Sequence, residues 1–459
     1  MNQTLDFIGI GIGPFNLSIA ALGSEISGFN SKFFERKPYF SWHPGMMVPD
    51  CHMQTSFLKD LVSAVSPTNP YSFLNYLVQR KKFYRFLTTE HRTVSREEFA
   101  DYLSWAANGL NSLTFSQDIQ SVDFDDQRRH FVVTTPRNVY HARHVCLGIG
   151  KRIKLPECVA EQNDRCFHAS EMALRNPDLT GKRVTIVGGG QSGADLFLNI
   201  FRAEWGQPKQ LNWISRRNNY NALDEAAFAN EYFTPEYVES FYGLNDNAKQ
   251  RMLAEQKMTS DGITSESLLT IYRAMYHQFE VLREQPWASL LPSRSLTSMQ
   301  AQGNGYQLVT YHHLDQGKET FDTDVVIFAT GYQQDRPAFL EPLAHRLITT
   351  ADGQYRVAPD FTLDWRGPQG NCLFAVNAGM HSHGIAEPQL SLMAWRSARI
   401  LNRALGREQF DLTSTPALIQ WRSQLPGAPT RAENTLPLPL AHEAAGGLAV
   451  HAHPNHSHE

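Results

Sequence analysis

The stretch RVTIVGGGQSGADLFLNIF at residues 183–201 predicts a buried strand, a glycine-rich turn and a helix in direct succession. Its glycines have the G-x-G-x-x-G spacing, which gives a tight turn, close approach of backbone N–H groups to a pyrophosphate, and packing of the helix on the strand. The motif alone is weak, because ordinary turns also use glycine, but its place between a strand and a helix predicts a nucleotide loop. The candidate contacts are Gly188, Gly190, Gln191, Ser192 and Gly193.

A related pattern begins the chain. Residues 5–10 predict a strand and residues 15–22 a helix, with three glycines at the end of the strand. Pro14 occupies the usual third-glycine position, which is acceptable because a proline in the first helical turn loses no hydrogen bond. A second strand at 31–34 leads into Glu35, and an acid at this place binds the ribose hydroxyls of a dinucleotide. The candidate contacts of this loop are Gly9, Gly11, Gly13, Pro14, Asn16 and Glu35.

Two such units, about 180 residues apart, predict an α/β protein with two Rossmann-like dinucleotide-binding domains and a small, mostly helical substrate-binding region. Apolar segments at 144–150 and 324–332 are typical of strands that return into a sheet, and the second adds Thr330 and Gly331 to the cofactor contacts. The predicted boundaries are 1–165 and 325–423 for the first nucleotide domain, 166–215 and 290–324 for the second, 216–289 for the helical region, and 424–459 for a flexible tail rich in His, Pro and Ala.

Composition excludes several classes of protein. The 459 residues carry 42 Lys and Arg against 46 Asp and Glu, a net charge of −4, whereas a nucleic-acid-binding protein has a basic excess. No apolar run approaches the roughly 18 residues of a membrane-spanning helix, and the first residues lack the pattern of a secretory signal. We therefore predict a cytoplasmic protein without a spanning segment.

Cysteine usage fits the same compartment. The cysteine count is five, and no pair has the C-x-x-C spacing of a structural zinc site or a redox-active disulfide. We therefore predict no metal site and no disulfide scaffold, and a disulfide reductase is disfavoured. The cysteines are Cys51, Cys146, Cys158, Cys166 and Cys372.

The second nucleotide unit differs from the first at the end of its second strand. The sequence there is Ser215-Arg216-Arg217, with no acid. Guanidinium groups bind a 2′-phosphate, so Arg216 favours NADPH over NADH. The alternative is a solvated basic loop. One loop for a bound flavin dinucleotide, FAD, and one for NADPH describe a flavoprotein that is a reductase, an oxidase or a monooxygenase.

Several motifs, in the same order along the chain, resemble the flavin-dependent N-hydroxylating monooxygenases of siderophore biosynthesis. Within that family the chain is most similar to the L-lysine Nε-hydroxylases of aerobactin-type pathways, over roughly residues 5–423. The motifs are GIGPFN at 11–16, WHPGM at 42–46, MQTSFLKDL at 53–61, GGGQSGAD at 188–195, NEYF at 230–233, ATGY at 329–332 and HGI at 383–385.

The resemblance implies a glutathione-reductase-like fold and a specific reaction. NADPH reduces FAD, the reduced flavin captures O₂ as a C4a-hydroperoxide, and the neutral terminal amine of the substrate attacks the distal oxygen. By the same resemblance, Trp42 and His43 lie beside FAD, and Gln54 lies against the oxygenated flavin. The family is often dimeric or tetrameric, so a homo-oligomer is expected, with an amine and O₂ as small-molecule partners and a hydroxamate siderophore as the final product.

Lys59 is the residue most informative about the substrate. A buried cation is costly unless it meets an anion, and in the family the matching lysine binds the α-carboxylate of an amino acid. The resemblance makes Asn230 a second substrate contact, and the Thr264–Ser267 segment departs from the ornithine enzymes. Lys59 therefore favours L-lysine, unless it forms a structural pair with Asp60 or another acid.

Two alternatives stay open. A diamine such as cadaverine or putrescine has no carboxylate. Glu387 is a candidate substrate contact that would meet an ammonium, either the α-amino group of an amino acid or the second ammonium of a diamine. A non-hydroxylating NADPH:flavin reductase, or a degenerate flavin-binding module, would need no carboxylate-binding lysine beside the flavin. Gln54 and Lys59 together disfavour this second alternative.

Overall fold

The computed structural model describes residues 4–413 and 418–423, so the tail predicted at 424–459 lies outside the described residues. The strands, numbered along the chain, are β1 (Leu5–Ile10), β2 (Ser31–Phe34), β3 (Leu113–Thr114), β4 (Ser121–Asp125), β5 (His130–Thr134), β6 (Val139–Leu147), β7 (Arg152–Ile153), β8 (Cys166–His168), β9 (Arg183–Val187), β10 (Gln210–Ile214), β11 (Ala288–Leu291), β12 (Arg294–Gln302), β13 (Gly305–His312), β14 (Gly317–Thr323), β15 (Val325–Phe328), β16 (Tyr332–Gln333) and β17 (Leu373–Ala375).

The helices are named in the same way. They are α1 (Pro14–Gly23), α2 (Phe73–Gln79), α3 (Phe83–Thr88), α4 (Arg96–Gly109), α5 (Met172–Arg175), α6 (Gln191–Phe201), α7 (Pro235–Tyr242), α8 (Asp246–Glu255), α9 (Lys257–Asp261), α10 (Ser265–Tyr276), α11 (Met380–His383) and α12 (Met393–Leu405). None of the helices in the described part of the chain is long and apolar enough to cross a bilayer.

The first sheet has the strand order β3-β2-β1-β6-β5-β4, with β17 paired to β6. Its central strand β1 is parallel to both neighbours, and residues 7–10 are buried because the sheet is covered on both faces. Helix α1 is buried along its whole length and packs on α12. The two ends of the described chain therefore build one domain, as the sequence predicts.

The second sheet is parallel throughout, in the order β11-β10-β9-β15-β8. Helix α6 connects β9 to β10 and carries the apolar face that covers this sheet. The ring of Phe197 stacks on Trp213 at a centroid distance of 5.3 Å, which ties α6 to β10. The strand-turn-helix unit predicted at residues 183–201 is thus present.

Two predicted boundaries are wrong. The sequence analysis assigns residues from 325 onward to the first domain, but β15 pairs with β9 and β8 of the second sheet. The chain crosses back only afterwards, where β16 pairs antiparallel with β7. The boundary at 290 is also late, because β11 begins at Ala288 and pairs with β10. The physical reason is that an apolar strand ending in glycine suits either sheet, so its pattern does not identify its neighbours.

The fold also contains a third sheet and a group of helices between β10 and β11. Strands β12, β13 and β14 form an antiparallel sheet of their own. The predicted helical region contains α7 to α10, and α10 is followed directly by a π-helical segment, His277–Val281. The N-terminus of α10 lies against the second glycine turn, since Thr264 donates its backbone N–H to the side chain of Gln191.

Candidate active site

A cavity of about 2550 Å³ separates the two glycine turns. A pocket for one drug-sized ligand measures roughly 300–1,000 Å³, so this space admits more than one such molecule. Both turns, the loop at residues 41–55 and the segment at 148–158 contribute to its wall. The cavity therefore lies at the carboxyl ends of the parallel strands of the two sheets.

The first turn has the geometry of a pyrophosphate cradle. Gly11 has a φ of +84°, and a Cβ there would lie 2.5 Å from the carbonyl oxygen of Gly148. At Gly13, in contrast, the nearest heavy atom to an added Cβ is 3.8 Å away, so the backbone faces open space. Helix α1 begins directly after Gly13, and its first N–H groups lack intrahelical partners. This arrangement suits a phosphate of a dinucleotide.

The structure corrects the register of this first motif. Gly11 and Gly13 correspond to the first two glycines of the second turn, so the third position is Asn16 and not Pro14. The Asn16 side chain donates to the carbonyl oxygens of Ile10 at 3.2 Å and Gly11 at 2.7 Å, which holds the turn. Asn16 itself is buried outside the cavity wall, while Pro14 lines it.

Gly9 is also placed differently from the prediction. It lies within β1, and a Cβ on Gly9 would come within 2.1 Å of the Phe33 ring. Gly9 does not line the cavity. The absence of a side chain at Gly9 allows β1 and β2 to pack closely, so Gly9 is not a cofactor contact.

Glu35 stands beside the first turn, as expected. One carboxylate oxygen accepts from the backbone N–H of Ile12 at 2.9 Å, and the other accepts from the N–H of Lys37 at 3.1 Å. Glu35 lines the cavity, so its carboxylate is available to ribose hydroxyls at the edge of the turn.

The second turn repeats the cradle. Gly188 has a φ of +134°, and a Cβ there would lie 2.1 Å from the carbonyl oxygen of Ala329. A Cβ on Gly193 would lie 2.2 Å from the oxygen of Gly188, whereas Gly190 faces open space with its nearest neighbour at 3.9 Å. The Trp213 indole donates to the Gly188 oxygen at 2.8 Å. Both turns therefore have a glycine where a Cβ would meet the neighbouring backbone, and an open backbone where a phosphate fits. Ser192 also lines the cavity.

The two arginines after β10 have separate roles. Arg217 donates to the carbonyl oxygens of Gly189 at 3.1 Å and Asp261 at 2.9 Å, so it holds the turn. Arg216 is exposed, lines the cavity, and forms no ion pair with any residue that the structure describes. Arg216 is therefore a cation at the end of β10 that is available to a 2′-phosphate.

The other predicted cofactor residues lie on the cavity wall. Trp42 and His43 line it, and the Trp42 ring packs edge-on against Phe99 at 5.7 Å. Thr330 donates its hydroxyl to the carbonyl oxygen of Lys154, and Gly331 has a φ of +76°. These residues lie where the chain passes between the two sheets.

Gln54 brings the two halves of the cavity together. Its side chain is exposed on the cavity wall, and its Nε2 donates to Oε1 of Gln191 at 3.4 Å. A residue of the first domain thus contacts the glycine turn of the second.

Lys59 and Asn230 do not line this cavity. Lys59 lies near the 3₁₀ helix that contains Asn230. The Lys59 Nζ atom is 6.0 Å from the ring centroid of Phe233, which shares the 3₁₀ helix Ala229–Phe233 with Asn230. Burial lowers the pKa of the Lys59 ammonium, and no ion-pair partner for it exists among residues 4–413 and 418–423. Asn230 is exposed, and its amide donates to the Ala226 oxygen at 3.4 Å.

The structure excludes Asp60 as the partner of Lys59. The Asp60 carboxylate accepts from the backbone N–H groups of Val62 at 3.0 Å, Ser63 at 2.6 Å and Phe73 at 2.6 Å, and from the Ser63 hydroxyl at 2.7 Å. Asp60 is buried and occupied with stabilising its own loop. Lys59 is therefore a partly buried cation without an acidic partner in the described part of the chain, which a carboxylate on a ligand would neutralise.

Glu387 lies next to a buried arginine. It is buried, its Oε1 accepts from the Ala378 N–H at 3.2 Å, and the same oxygen lies 3.9 Å from the guanidinium of the buried Arg396. Like Lys59 and Asn230, it does not line the cavity. A buried arginine needs a counter-charge, and Glu387 supplies it; its role as a substrate contact stays a prediction.

A family model described as L-lysine 6-monooxygenase/L-ornithine 5-monooxygenase matches residues 3–334. The chain belongs to this family. The family membership predicted from the sequence motifs is thereby confirmed. Within the family, L-lysine N6-monooxygenase of Escherichia coli is 63% identical over 424 residues, which cover 92% of this chain and 100% of that protein.

Solved structures of other N-hydroxylases confirm the fold. A cadaverine monooxygenase of desferrioxamine biosynthesis from Erwinia amylovora, solved with FAD, is 30% identical with a TM-score of 0.88, covering 93% of this chain and 100% of that one. An ornithine N-hydroxylase from Kutzneria, solved with reduced FAD, NADP⁺ and L-ornithine, is 27% identical with a TM-score of 0.81, covering 88% of this chain and 99% of that one.

This member of the L-lysine 6-monooxygenase/L-ornithine 5-monooxygenase family has two functional candidates that the sequence analysis overlooked. Lys151 lines the cavity directly after the glycines at 148 and 150, and burial lowers the pKa of its ammonium, against the opposing effect of Glu387 and Asp261. Asp195 is a buried acid on α6 that accepts from the Gln191 amide at 2.7 Å. The sequence could have identified Asp195, because an acid is unusual in the apolar segment that follows a glycine turn.

Proposed function

We propose that this protein N-hydroxylates the terminal amine of L-lysine, using FAD, NADPH and O₂, in the biosynthesis of a hydroxamate siderophore. The observation that carries the choice of substrate is Lys59, a partly buried cation without an acidic partner in the described part of the chain. An amino acid brings the carboxylate that such a cation needs, because desolvating an unpaired charge is unfavourable. The 63% identity to a lysine N6-monooxygenase supports the same substrate.

The two turns divide the cofactors between them. FAD fits the first turn, where Gly13 and the start of α1 take the pyrophosphate and Glu35 takes the ribose. NADPH fits the second turn, where Gly190 faces the cavity and Arg216 takes the 2′-phosphate. When bound, the reduced flavin supplies the activation of O₂, and the protein supplies binding, orientation and exclusion of water.

The substrate amine must arrive without its proton. The ordinary pKa of a lysine amine is about 10.4, and the protonated amine has no lone pair with which to attack. Burial of the amine next to neutral hydrogen-bonding groups lowers that pKa. Gln54 is a neutral amide on the cavity wall, and Asn230 is a second one on the 3₁₀ helix near Lys59. Lys59 lies outside the wall of the large cavity, so in this proposal the substrate extends from Gln54, at its amine end, toward Lys59, at its carboxylate end.

A diamine is the second candidate, because the Erwinia relative is a cadaverine monooxygenase. A diamine places a second ammonium where L-lysine has a carboxylate. Lys59 repels that ammonium, whereas the carboxylate of Glu387 lies next to the guanidinium of Arg396. The charge distribution therefore favours the amino acid.

The test compares L-lysine, cadaverine, putrescine and L-ornithine as substrates of the purified protein. NADPH oxidation, hydroxylamine product and hydrogen peroxide are measured separately for each amine. We expect N6-hydroxylysine to account for most of the NADPH oxidised with L-lysine. Hydroxylated cadaverine with background product from L-lysine would show the diamine to be the substrate, and peroxide without any hydroxylamine would show a reductase.

We also propose a cytoplasmic location and a homo-oligomeric state. Both rest on the predicted chemistry, which uses cytoplasmic NADPH, and on the family resemblance. Size-exclusion chromatography with light scattering tests the oligomeric state, and a monomer at micromolar concentration would contradict it.

A further inference from the structure

Gln191 was predicted to contact the nucleotide, but four protein groups already occupy its side chain. Its Nε2 donates to Oδ1 of Asp195 at 2.7 Å and to the Ser267 hydroxyl at 3.0 Å. Its Oε1 accepts from the backbone N–H of Thr264 at 2.9 Å and from Nε2 of Gln54 at 3.4 Å. A carboxamide has two donor hydrogens and two acceptor lone pairs, so all of its hydrogen-bonding capacity is used.

The orientation of the Gln191 amide is determined by these partners. A backbone N–H can only donate, so the atom facing Thr264 is the oxygen. The atom facing Oδ1 of Asp195 is then the nitrogen, which donates to that oxygen. A reversed amide would place two donors together at one side and two acceptors together at the other. The Gln191 oxygen is thus a fixed acceptor directed toward Gln54.

We propose that Gln191 is a positioning residue that sets the orientation of the Gln54 amide in the active site. The fixed acceptor binds Nε2 of Gln54, which leaves Oε1 of Gln54 without a protein partner in the described part of the chain. Gln54 is exposed on the cavity wall, so this oxygen is available to a ligand. The inference rests on the proposed function, because Gln54 has its role only beside the flavin and the amine.

The chemical consequence concerns the substrate amine. An amine that attacks through its lone pair still carries N–H groups, and these need an acceptor. A Gln54 oxygen held in place supplies that acceptor and aligns the amine, whereas an unrestrained amide would also present its N–H₂ group. The bond between the two glutamines is the longest of the four, so Gln191 acts through the placement of its oxygen and less through the strength of this bond.

The residues that hold the Gln191 side chain in place belong to three parts of the molecule. Asp195 is buried one helical turn further along α6, and its Oδ2 forms an ion pair with Arg96 of α4 at 3.5 Å. Ser267 and Thr264 belong to the first turn and the N-cap of α10. The orientation of Gln54 therefore depends on contacts among the first domain, the second glycine turn and the helical region.

The experiment is a double-mutant cycle on the FAD-loaded enzyme, with Gln191→Ala, Gln54→Ala and the double variant. The share of NADPH that ends as hydrogen peroxide instead of N6-hydroxylysine is measured with L-lysine, and the Kd of NADP⁺ is measured by calorimetry. We expect each single variant to raise the peroxide share to a similar level and the double variant to raise it no further, since interacting residues are non-additive. We expect the Kd of NADP⁺ to change less than about threefold.

Two further variants separate positioning from folding. Ser267→Ala removes one acceptor of the Gln191 amide; it should raise the peroxide share in the wild-type background and leave it unchanged in the Gln54→Ala background. Gln300→Ala, an exposed glutamine on β12 away from the cavity, is the matched control and should behave as wild type.

The contrary results are specific. A loss of NADP⁺ affinity of about tenfold or more in Gln191→Ala, with an unchanged peroxide share, would show a direct nucleotide contact and overturn the proposal. Additive effects in the double variant, or an equal effect of Ser267→Ala in both backgrounds, would also overturn it. A wild-type enzyme that forms no N6-hydroxylysine would instead contradict the proposed function.

Discussion

At the scale of single residues, charge decides the substrate. Lys59 is partly buried and faces the ring of Phe233, while the neighbouring Asp60 is saturated by its own loop. The sequence could identify Lys59 as a candidate but could not show which acid was free to pair with it. Asp60 had suitable charge, and only its hydrogen bonds reveal that neighbouring backbone N–H groups already occupy it.

Selectivity between L-lysine and cadaverine should depend on pH. Burial lowers the pKa of Lys59 below its ordinary value of 10.5, so the free enzyme loses this charge as pH rises through the lowered pKa. Neutral Lys59 neither binds a carboxylate nor repels an ammonium. We therefore expect the ratio of kcat/KM for L-lysine to that for cadaverine to fall as pH rises through this lowered pKa, at a pH below 10.5.

The matched control for this experiment is Lys59→Arg, because a guanidinium stays protonated at these pH values. Its ratio should remain constant with pH, whatever its absolute activity. In Lys59→Ala, KM for L-lysine should rise about 10- to 100-fold while bound FAD is retained. An equal loss of flavin in Lys59→Ala, or the same pH slope in Lys59→Arg as in wild type, would show that Lys59 does not bind the substrate.

Arg216 should determine the choice of reduced nucleotide. It is exposed on the cavity wall without an ion-pair partner in the described residues, whereas Arg217 holds the turn. Arg216→Ala should raise KM for NADPH about tenfold or more and leave KM for NADH nearly unchanged, because only NADPH carries the 2′-phosphate. The control is Arg251→Ala on the exposed face of α8. Steady-state kinetics with both nucleotides checks this, and a parallel rise in both KM values would contradict it.

At the scale of elements, the two glycine turns show how well the spacing of glycines predicts the geometry of a turn. The spacing of glycines in the second turn predicted its geometry correctly, since tight contacts occur at Gly188 and Gly193 and open space at Gly190. In the first turn the pattern allowed two registers. Only the start of α1 after Gly13, and the contact of the Gly11 backbone with Gly148, distinguish the third position of the motif.

Two glycines of the first turn should respond differently to alanine. Gly11→Ala places a Cβ 2.5 Å from a carbonyl oxygen at a φ of +84°, so it should lower the Tm of the protein as well as its flavin content. Gly13→Ala meets no heavy atom closer than 3.8 Å, so the fold should persist while the added methyl group hinders the pyrophosphate. We expect an FAD Kd about tenfold higher or more in Gly13→Ala, with little change in the Tm of the flavin-free protein.

Thermal unfolding and FAD titration of both variants check this prediction. Gly28→Ala is a control in a surface turn, where an added Cβ meets nothing within 4 Å although φ is +76°. An unchanged flavin affinity in Gly13→Ala would show that the pyrophosphate lies elsewhere.

At the scale of the whole molecule, the chain passes between two sheets that share one cavity. The sequence predicted that the C-terminal part returns to the first domain, and the packing of α1 on α12 agrees. It could not predict that β15 pairs with β9, because the composition of a four-residue apolar strand does not specify its neighbours. The contacts that join the halves, such as the ion pair of Asp50 with Arg202 at 2.6 Å, depend on loops whose conformation leaves no periodic signal.

The most direct test of the account is a crystal structure of the protein with FAD, NADP⁺ and L-lysine bound. The account predicts the α-carboxylate of the substrate within hydrogen-bonding distance of the Lys59 Nζ atom, about 2.7–3.2 Å, and the terminal amine on the side of Gln54 and the flavin. A carboxylate bound away from Lys59, with the Lys59 ammonium directed to another protein group, would contradict it.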